Sequence, residues 1–265
     1  SMPKLETFES INGYSPYNST ISVRYKAHCI AGRRSFVGNL MINENGIDRF
    51  YNDRMIVSPI NLLDTFPYPD NVLDLDISDG DEITALSSVG DKVLQFKKNM
   101  MFVINISTAI PAEFFVEERH KYKGVMTSAH VTETADGVFW INSLGAYFYN
   151  GEEISNLHFN EEDPPQRRIS EEEWGLFFSE KSLVGYNPKS MECFVIKSHT
   201  GDILDSGDCF IYSFISKSWT KGKNRFYNGS GNICTNLLNV GSDSVLSYIY
   251  DGYIGDSQTE SGEAE

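Results

Sequence analysis

The sequence predicts an all-β chain, a β-propeller of about five or six blades built from antiparallel hairpins. Three observations predict it. Residues 82–151 hold two successive groups of short apolar, aromatic and β-branched runs that share one rhythm. The runs are separated by Gly90-Asp91, Lys98-Asn99, Asp136-Gly137, Leu144-Gly145 and Asn150-Gly151, pairs of the kind that supply the positive φ of a tight hairpin turn. Strand groups then recur elsewhere every ~40 to 50 residues, which is blade spacing, although no WD or kelch signature accompanies them.

Residues 1–19 are an N-terminal lead whose Ser1-Met2 looks like a scar of expression, so the natural chain is expected to begin elsewhere. The propeller domain is expected over 20–254. It opens with a hairpin of 20–30 and 35–42 around Gly32-Arg33, then strands at 48–50 and 54–58, and a Pro-rich passage, 59–70, that crosses to the next blade. The first clear blade has strands at 83–89, 93–96, 101–106 and 114–117, and the second at 125–131, 138–142, 146–149 and 154–157. After an acidic loop containing Pro164-Pro165, strands are expected at 174–178, 183–186, 191–197, 209–214, 232–240 and 244–250. The one helical signal is Ser170 with Glu173 three residues later, a capping-box pattern, but the apolar continuation at 174–178 reads better as strand. Residues 255–265 form an acidic tail without apolar anchors, expected to be disordered and solvating.

Composition narrows the function classes. The 265 residues are 40% hydrophobic and 13% aromatic, ample for a buried core. Phe139, Ile141, Tyr147 and Tyr149 are expected to fill the space between sheets, with Trp140 and Trp219 as packing residues. A formal charge of −15 with no basic stripe opposes phosphate-backbone binding, which draws its affinity from lysine and arginine. The longest apolar run is too short to span a bilayer, so no membrane partner is expected. Cys29, Cys193, Cys209 and Cys234 form no CxxC pair, and they read as buried thiols rather than disulfides or metal ligands.

Reactive chemistry is thin. Asp74, Asp76, Ser78 and Asp79 suggest a calcium loop, but Gly80 falls one place late and Ala85 stands where a bidentate glutamate is needed, so the segment reads as an acidic surface turn. The run Thr134 to Trp140 imitates part of a sialidase Asp box, yet Asp136 directly precedes Gly137 and a type I′ turn is the better reading. His28, His120, His130, His158 and His199 show no HExxH or i,i+4 pairing, and there is no GxSxG elbow or phosphate-cradling loop. Glu152-Glu153 is a carboxylate pair that only geometry can promote to acid and base. Sequons at Asn18, Asn105 and Asn228 read as chance in an Asn-rich chain, with Asn105 expected in a buried strand. No catalytic, cofactor-binding or metal-binding residue is assigned, and no enzyme activity is expected.

Several segments carry a resemblance. They are Arg33-Arg34-Ser35-Phe36-Val37-Gly38-Asn39, Asp53-Arg54-Met55-Ile56-Val57-Ser58-Pro59, Phe66-Pro67, and the runs 79–86, 93–97, 101–104, 124–126 and 137–151. Over roughly residues 30 to 250 the order of these segments resembles the propeller portion of bacteriophage tail nozzle proteins, the tail tubular protein B group of short-tailed phages and related crAss-like phage proteins. The resemblance implies a non-enzymatic structural component of a virion tail, made in the host cytoplasm. Its partners would be other tail or portal-adaptor proteins, and the longer parent would form a homo-oligomeric ring through whose channel DNA passes. Those relatives are much longer, and the platform segments that would build the channel are not identifiable in this sequence. Two alternatives stand beside it: a carbohydrate-binding or carbohydrate-active propeller, and a cellular protein-interaction propeller.

Overall fold

The computed structural model describes residues 4–8, 21–44, 46–67, 71–74, 80–158, 169–197, 208–223, 234–240, 245–250 and 253–256. These form five sheets, almost wholly antiparallel, with one α-helix and two short 3-10 turns, and they divide into two compact units, Ser1–Ser128 and Ala129–Glu265. The all-β expectation holds, and five sheets fall within the expected number of blades.

The first unit contains two sheets. One is ordered β5-β1-β2-β3-β4-β6, from β1 (Lys4–Phe8), β2 (Ile21–Ala31), β3 (Arg34–Glu44), β4 (Ile47–Val57), β5 (Phe66–Pro67) and β6 (Val72–Leu73). The other is ordered β10-β9-β8-β7, from β7 (Ile83–Val89), β8 (Lys92–Lys97), β9 (Met100–Asn105) and β10 (Phe115–Lys121). Ala27, Cys29, Phe36, Met55 and Val57 of the first sheet pack against Ile83, Leu86, Val93 and Ile104 of the second. Each phenylalanine, methionine, valine, isoleucine or leucine among them contributes about 1.5–3 kcal/mol on burial.

Several local expectations hold here and others fail for identifiable reasons. The hairpin at Gly32-Arg33 has φ of 54° and 60°, the positive values a type I′ turn needs. The strands expected at 48–50 and 54–58 are one strand, β4, because Asn39 absorbs an irregularity: the ladder skips from Gly38↔Met55 to Leu40↔Tyr51. Asn39 adopts φ 57°, a left-handed geometry that asparagine tolerates, and its buried Nδ2 donates to Glu82 Oε2 at 3.0 Å and to the Ile83 carbonyl at 2.9 Å. The strand expected at 125–131 is instead a loop ending in a 3-10 turn, Ser128–His130. There the Tyr122 and Val125 amides donate to the carbonyls of Asn99 and Lys97, and a Cβ on Gly124 would lie 2.2 Å from the Lys97 carbonyl. Those backbone groups are spent on the end of the β8–β9 hairpin and are no longer available to a new ladder.

The second unit holds the sheet β11-β12-β13-β14, from β11 (Val131–Glu133), β12 (Val138–Asn142), β13 (Gly145–Tyr149) and β14 (Ile154–Asn156). After α1 (Glu171–Phe177) comes the sheet β15-β16-β17-β18, from β15 (Leu183–Asn187), β16 (Glu192–Ile196), β17 (Cys209–Ser213) and β18 (Ser218–Gly222). A three-stranded sheet of β19 (Cys234–Val240), β20 (Val245–Tyr250) and β21 (Tyr253–Asp256) follows. Strand pairing therefore begins inside the expected lead, at β1, and continues past residue 250 to Asp256.

Residues 174–178 are helical up to Phe177, against the expected strand. Ser170 Oγ accepts from the Glu173 amide at 3.1 Å, and Glu171, Glu172 and Glu173 occupy the first turn, where the helix dipole favours negative charge. The i,i+3 pair Trp174 and Phe177 is buried and Leu176 is exposed, so the capping signal outweighed the β propensity of the aromatics. The Asp136-Gly137 pair is not a type I′ turn, since neither residue has positive φ. A four-residue loop is closed by Thr134, whose amide and Oγ1 both donate to the Gly137 carbonyl, at 2.8 and 3.0 Å. Glycine is needed at 137 for space: a Cβ would sit 2.0 Å from the Tyr149 carbonyl oxygen. The neighbouring turn is Ser143-Leu144, one residue earlier than expected, closed by Asn142 Oδ1 accepting from the Leu144 amide at 2.9 Å.

The core of this unit is aromatic. Trp140 and Trp219 are buried as expected, and Phe139, Trp174, Phe177, Tyr186, Phe210, Tyr212 and Trp219 share one cluster. Trp174 Nε1 donates to the Asn142 carbonyl and Trp219 Nε1 to that of Leu157, both at 2.9 Å, so the indoles lose no hydrogen bond on burial. His158 lies against them, its ring 4.3 Å from Trp174 and 5.7 Å from Trp219 between centroids. Cys29, Cys193 and Cys209 are buried thiols, and burial pushes the Cys193 thiol up; the side chain of Cys234 lies outside the described residues.

Two outcomes follow from this packing. Gly137→Ala is expected to destabilise the second unit by about 3 kcal/mol, since the added methyl meets backbone; an unchanged urea midpoint would refute the steric requirement. Burial lowers the His158 pKa from its ordinary 6.5 to about 4, so the native state holds the neutral ring. Its stabilising contribution is complete above pH 6.5 and is lost as pH falls from there toward 4, by about 3 kcal/mol in all. Tryptophan-monitored unfolding across that window should slope this way in the native chain and be flatter in His158→Gln.

Candidate functional site: an apolar loop end

The residues singled out as reactive candidates are dispersed. Asp74 is exposed and forms a two-point ion pair with Arg54, Oδ1 to Nε at 2.7 Å and Oδ2 to Nη2 at 2.8 Å, while Asp76, Ser78 and Asp79 lie outside the described residues. His28 meets Ser35 Oγ at 3.0 Å, His120 meets Glu118 Oε2 at 2.6 Å, and His130 packs on Phe178. Glu152 and Glu153 are exposed on the β13–β14 turn, their amides donating to Asn150 Oδ1. Asn105 is half-buried at the end of β9, with Nδ2 donating to Glu117 and Oδ1 accepting from the Ser107 amide and hydroxyl. His199, Asn18, Asn228, the acidic loop 161–168 and residues 257–265 lie outside the described residues. Among the described residues no group of three or more histidine, cysteine, aspartate or glutamate side chains is placed to hold a metal, and no helix is long and apolar enough to cross a membrane.

The structure instead gathers apolar side chains on loops at one end of the first unit, and a buried arginine holds them there. Arg34 begins β3, immediately after the Gly32-Arg33 turn. Its Nη1 donates to the Ser58 carbonyl at 3.0 Å and its Nη2 to the Ala109 carbonyl, while the guanidinium lies over the Phe114 ring at 5.9 Å. One side chain thus joins three chain segments that are far apart in sequence. Backbone bonds complete the junction: Ser58 N to the Ser35 carbonyl and Asn61 N to the Arg33 carbonyl, both 2.9 Å, with Ser35 N on Ser58 Oγ at 2.8 Å. Nearby, Ser88 Oγ donates to the Ile30 carbonyl and the Ile106 amide to that of Asp91. Arginine suits the position because its planar fork reaches two carbonyls at once; a lysine ammonium does not.

Ile30, Ile60, Leu62, Leu63 and Ile110 protrude around this junction, between 36% and 55% exposed. Single exposed leucines are ordinary, but several on converging loops make a candidate contact surface. Sequence reasoning read 59–70 only as a crossing passage and assigned 107–113 no role. The available signal was the aliphatic triplet Ile60, Leu62 and Leu63, together with Ile110, in segments otherwise rich in turn residues.

Charge is distributed unevenly. Asp64, Asp91 and Glu113 are exposed on the same loops and turns, against Arg33 as the exposed base there. Lys92 beside Asp91 is engaged by Glu117 at 3.1 Å, and Arg34 is turned inward with its fork occupied. A second charged node surrounds Glu82, whose carboxylate meets Lys98 at 2.8 Å, Asn39 at 3.0 Å and Lys26 at 3.4 Å. The Lys98 contact is the largest cause holding the Glu82 carboxyl down to about 2. Next to it, Asp81 caps the β8–β9 turn by accepting from the Lys98 and Asn99 amides. This node is satisfied internally and reads as structural.

Comparison with solved structures places the architecture. BamB from Moraxella catarrhalis matches with a TM-score of 0.50 at 10% identity, over 89% of this chain and 63% of that one. The structure of YCF48 bound to D1 peptide matches with a TM-score of 0.49 at 11% identity, over 90% of this chain and 68% of that one. The fold is a β-propeller. This chain spans just under two thirds of the BamB chain, and at such identity the likeness concerns the propeller fold alone. No protein-family model matches the sequence, and no curated protein matches it.

Arg34→Met keeps the apolar stem and removes the donors to two loop carbonyls. It is expected to cost about 2 kcal/mol and to speed amide hydrogen exchange in 58–65 and 107–113 while leaving β8 and β9 protected. Arg34→Lys should not restore protection; full restoration by lysine would show that charge rather than the fork holds the loops.

Proposed function

We propose that this propeller is a non-enzymatic protein-interaction module and that the apolar loop end of its first unit is a binding surface. The observation that carries the proposal is the group of exposed aliphatic side chains Ile30, Ile60, Leu62, Leu63 and Ile110 on loops pinned by Arg34. Holding those loops in place lowers the ordering cost of association, which is what a preformed surface offers a partner. The scaffold supports this reading because its most buried strands, β8, β12 and β15, are committed to packing, leaving loops to carry contacts.

The resemblance of segments 33–39, 53–59 and 137–151 to tail nozzle propellers supports a virion tail as one setting for such a module, with other tail proteins as its partners. In that setting ring contacts would come from the longer parent. The chain alone, at −15, is expected to be a monomer by light scattering, and a stable ring formed by these residues would show that the propeller itself carries the ring interface.

Ile60→Ser, Leu62→Ser and Ile110→Ser combined should change stability by no more than about 0.5 kcal/mol per site, as exposed positions do. A photo-crosslinker at Leu63 should trap a protein partner in the organism of origin, and the combined substitutions should abolish the crosslink. Equal yield from a crosslinker at Glu152, or a crosslink at Leu63 indifferent to the substitutions, would overturn the assignment of this end.

A further inference from the structure

The chemistry around the apolar loop end points to a particular kind of occupant. We infer that it takes a protein segment whose aliphatic side chains are flanked by lysine or arginine. This rests on the reading of that end as a binding surface and adds the identity of what binds.

Aliphatic contact points come from three places in the chain: Ile30 before the β2–β3 turn, Ile60, Leu62 and Leu63 between β4 and β5, and Ile110 between β9 and β10. An occupant that covers them must offer apolar side chains of its own, because an unpaired polar group pressed against them loses its water without compensation. The border supplies the second requirement. Asp64 lies beside Leu63, Glu113 follows Ile110 in the 3-10 turn Pro111–Glu113, and Asp91 sits in the β7–β8 turn whose carbonyl takes the Ile106 amide. All three carboxylates are exposed. Among the described residues of these loops Arg33 is the exposed opposing charge, since Lys92 is held by Glu117 and Arg34 by two carbonyls. Flanking lysines or arginines would therefore gain attraction at the rim, where charge contributes chiefly to the rate and selectivity of encounter.

The same arithmetic disfavours other occupants. A second copy of the chain brings another −15 and an acidic rim of its own. A nucleic acid or an anionic lipid surface brings negative charge to a border with the same sign. A basic-flanked apolar protein segment satisfies both the aliphatic centre and the acidic border.

Fluorescence anisotropy of labelled peptides on the full chain tests this. The probes are a leucine-isoleucine peptide flanked by lysines, its twin flanked by glutamates, and a lysine-flanked peptide with a serine centre. The lysine-flanked aliphatic peptide should bind saturably and more weakly as salt rises, with the other two weaker by about tenfold or more. In the Asp64→Asn, Asp91→Asn, Glu113→Gln variant the difference between the twins should disappear. In the Ile60→Ser, Leu62→Ser, Ile110→Ser variant the aliphatic peptide should bind no better than its serine-centred counterpart, with circular dichroism confirming that both variants fold. Equal binding of the twins to the native chain would overturn the charge selection while leaving the binding surface standing. Binding that survives the serine substitutions would overturn the surface as well. Absence of binding by every peptide, or concentration-dependent self-association abolished by the serine substitutions, would overturn this occupant.

Discussion

Strands buried on both faces decide where everything else in this protein can go. Every residue of β12 and β15 is buried, and five of the six residues of β8 are. A strand in that position has no free face to offer a ligand, and each of its side chains must match neighbours on two sides. The consequences are visible in glycine use. Gly124 and Gly137 sit where a backbone carbonyl approaches so closely that no side chain fits. The indole nitrogens of Trp174 and Trp219, drawn into this packing, are supplied with partners by backbone carbonyls.

With the strands committed, the loops divide into those that serve the fold and those that face outward. The Glu82 node belongs to the first kind. Its carboxylate gathers Lys98, Asn39 and Lys26, and through Asn39 it stabilises the left-handed residue that lets β4 run as one strand. The Arg34 junction has both characters. Its guanidinium is buried and its hydrogen bonds are structural, yet the loops it ties carry aliphatic side chains into solvent. A fixed apolar surface with an acidic border is a different object from a flexible loop that happens to contain leucine, because the ordering cost has been met in folding rather than at association.

Much of the architecture was legible in the sequence because turn chemistry is local. A hairpin at Gly32-Arg33 reads directly from the sequence, and the short runs between turn pairs read as strands of β7 to β9 and β12 to β13. Errors arose where local signals competed. At 170–178 the Ser170 capping box pointed to helix and the aromatics to strand, and the i,i+3 burial of Trp174 and Phe177 settled it for helix. At 125–131 an apolar run looked like strand, but its first amide, Val125, was already engaged by the Lys97 carbonyl, as the Tyr122 amide just before it was by Asn99. Asp136-Gly137 carried a turn signature whose glycine was there for the Tyr149 carbonyl.

The sequence by itself determined the all-β class, the hairpin rhythm, the acidic balance and the burial of Trp140, Trp219, Cys29, Cys193 and Cys209, since these follow from side-chain type and near-neighbour spacing. Only the tertiary structure decided the candidate surface. Arg34, Ser58 and Ala109 are separated by tens of residues, and nothing in the local pattern of any one of them shows that a single guanidinium joins all three. Ile30, Leu62 and Ile110 are, each alone, unremarked aliphatic residues near turns. They become one surface because long-range hydrogen bonds bring their loops together, and such bonds depend on the packing of whole sheets rather than on the residues beside them.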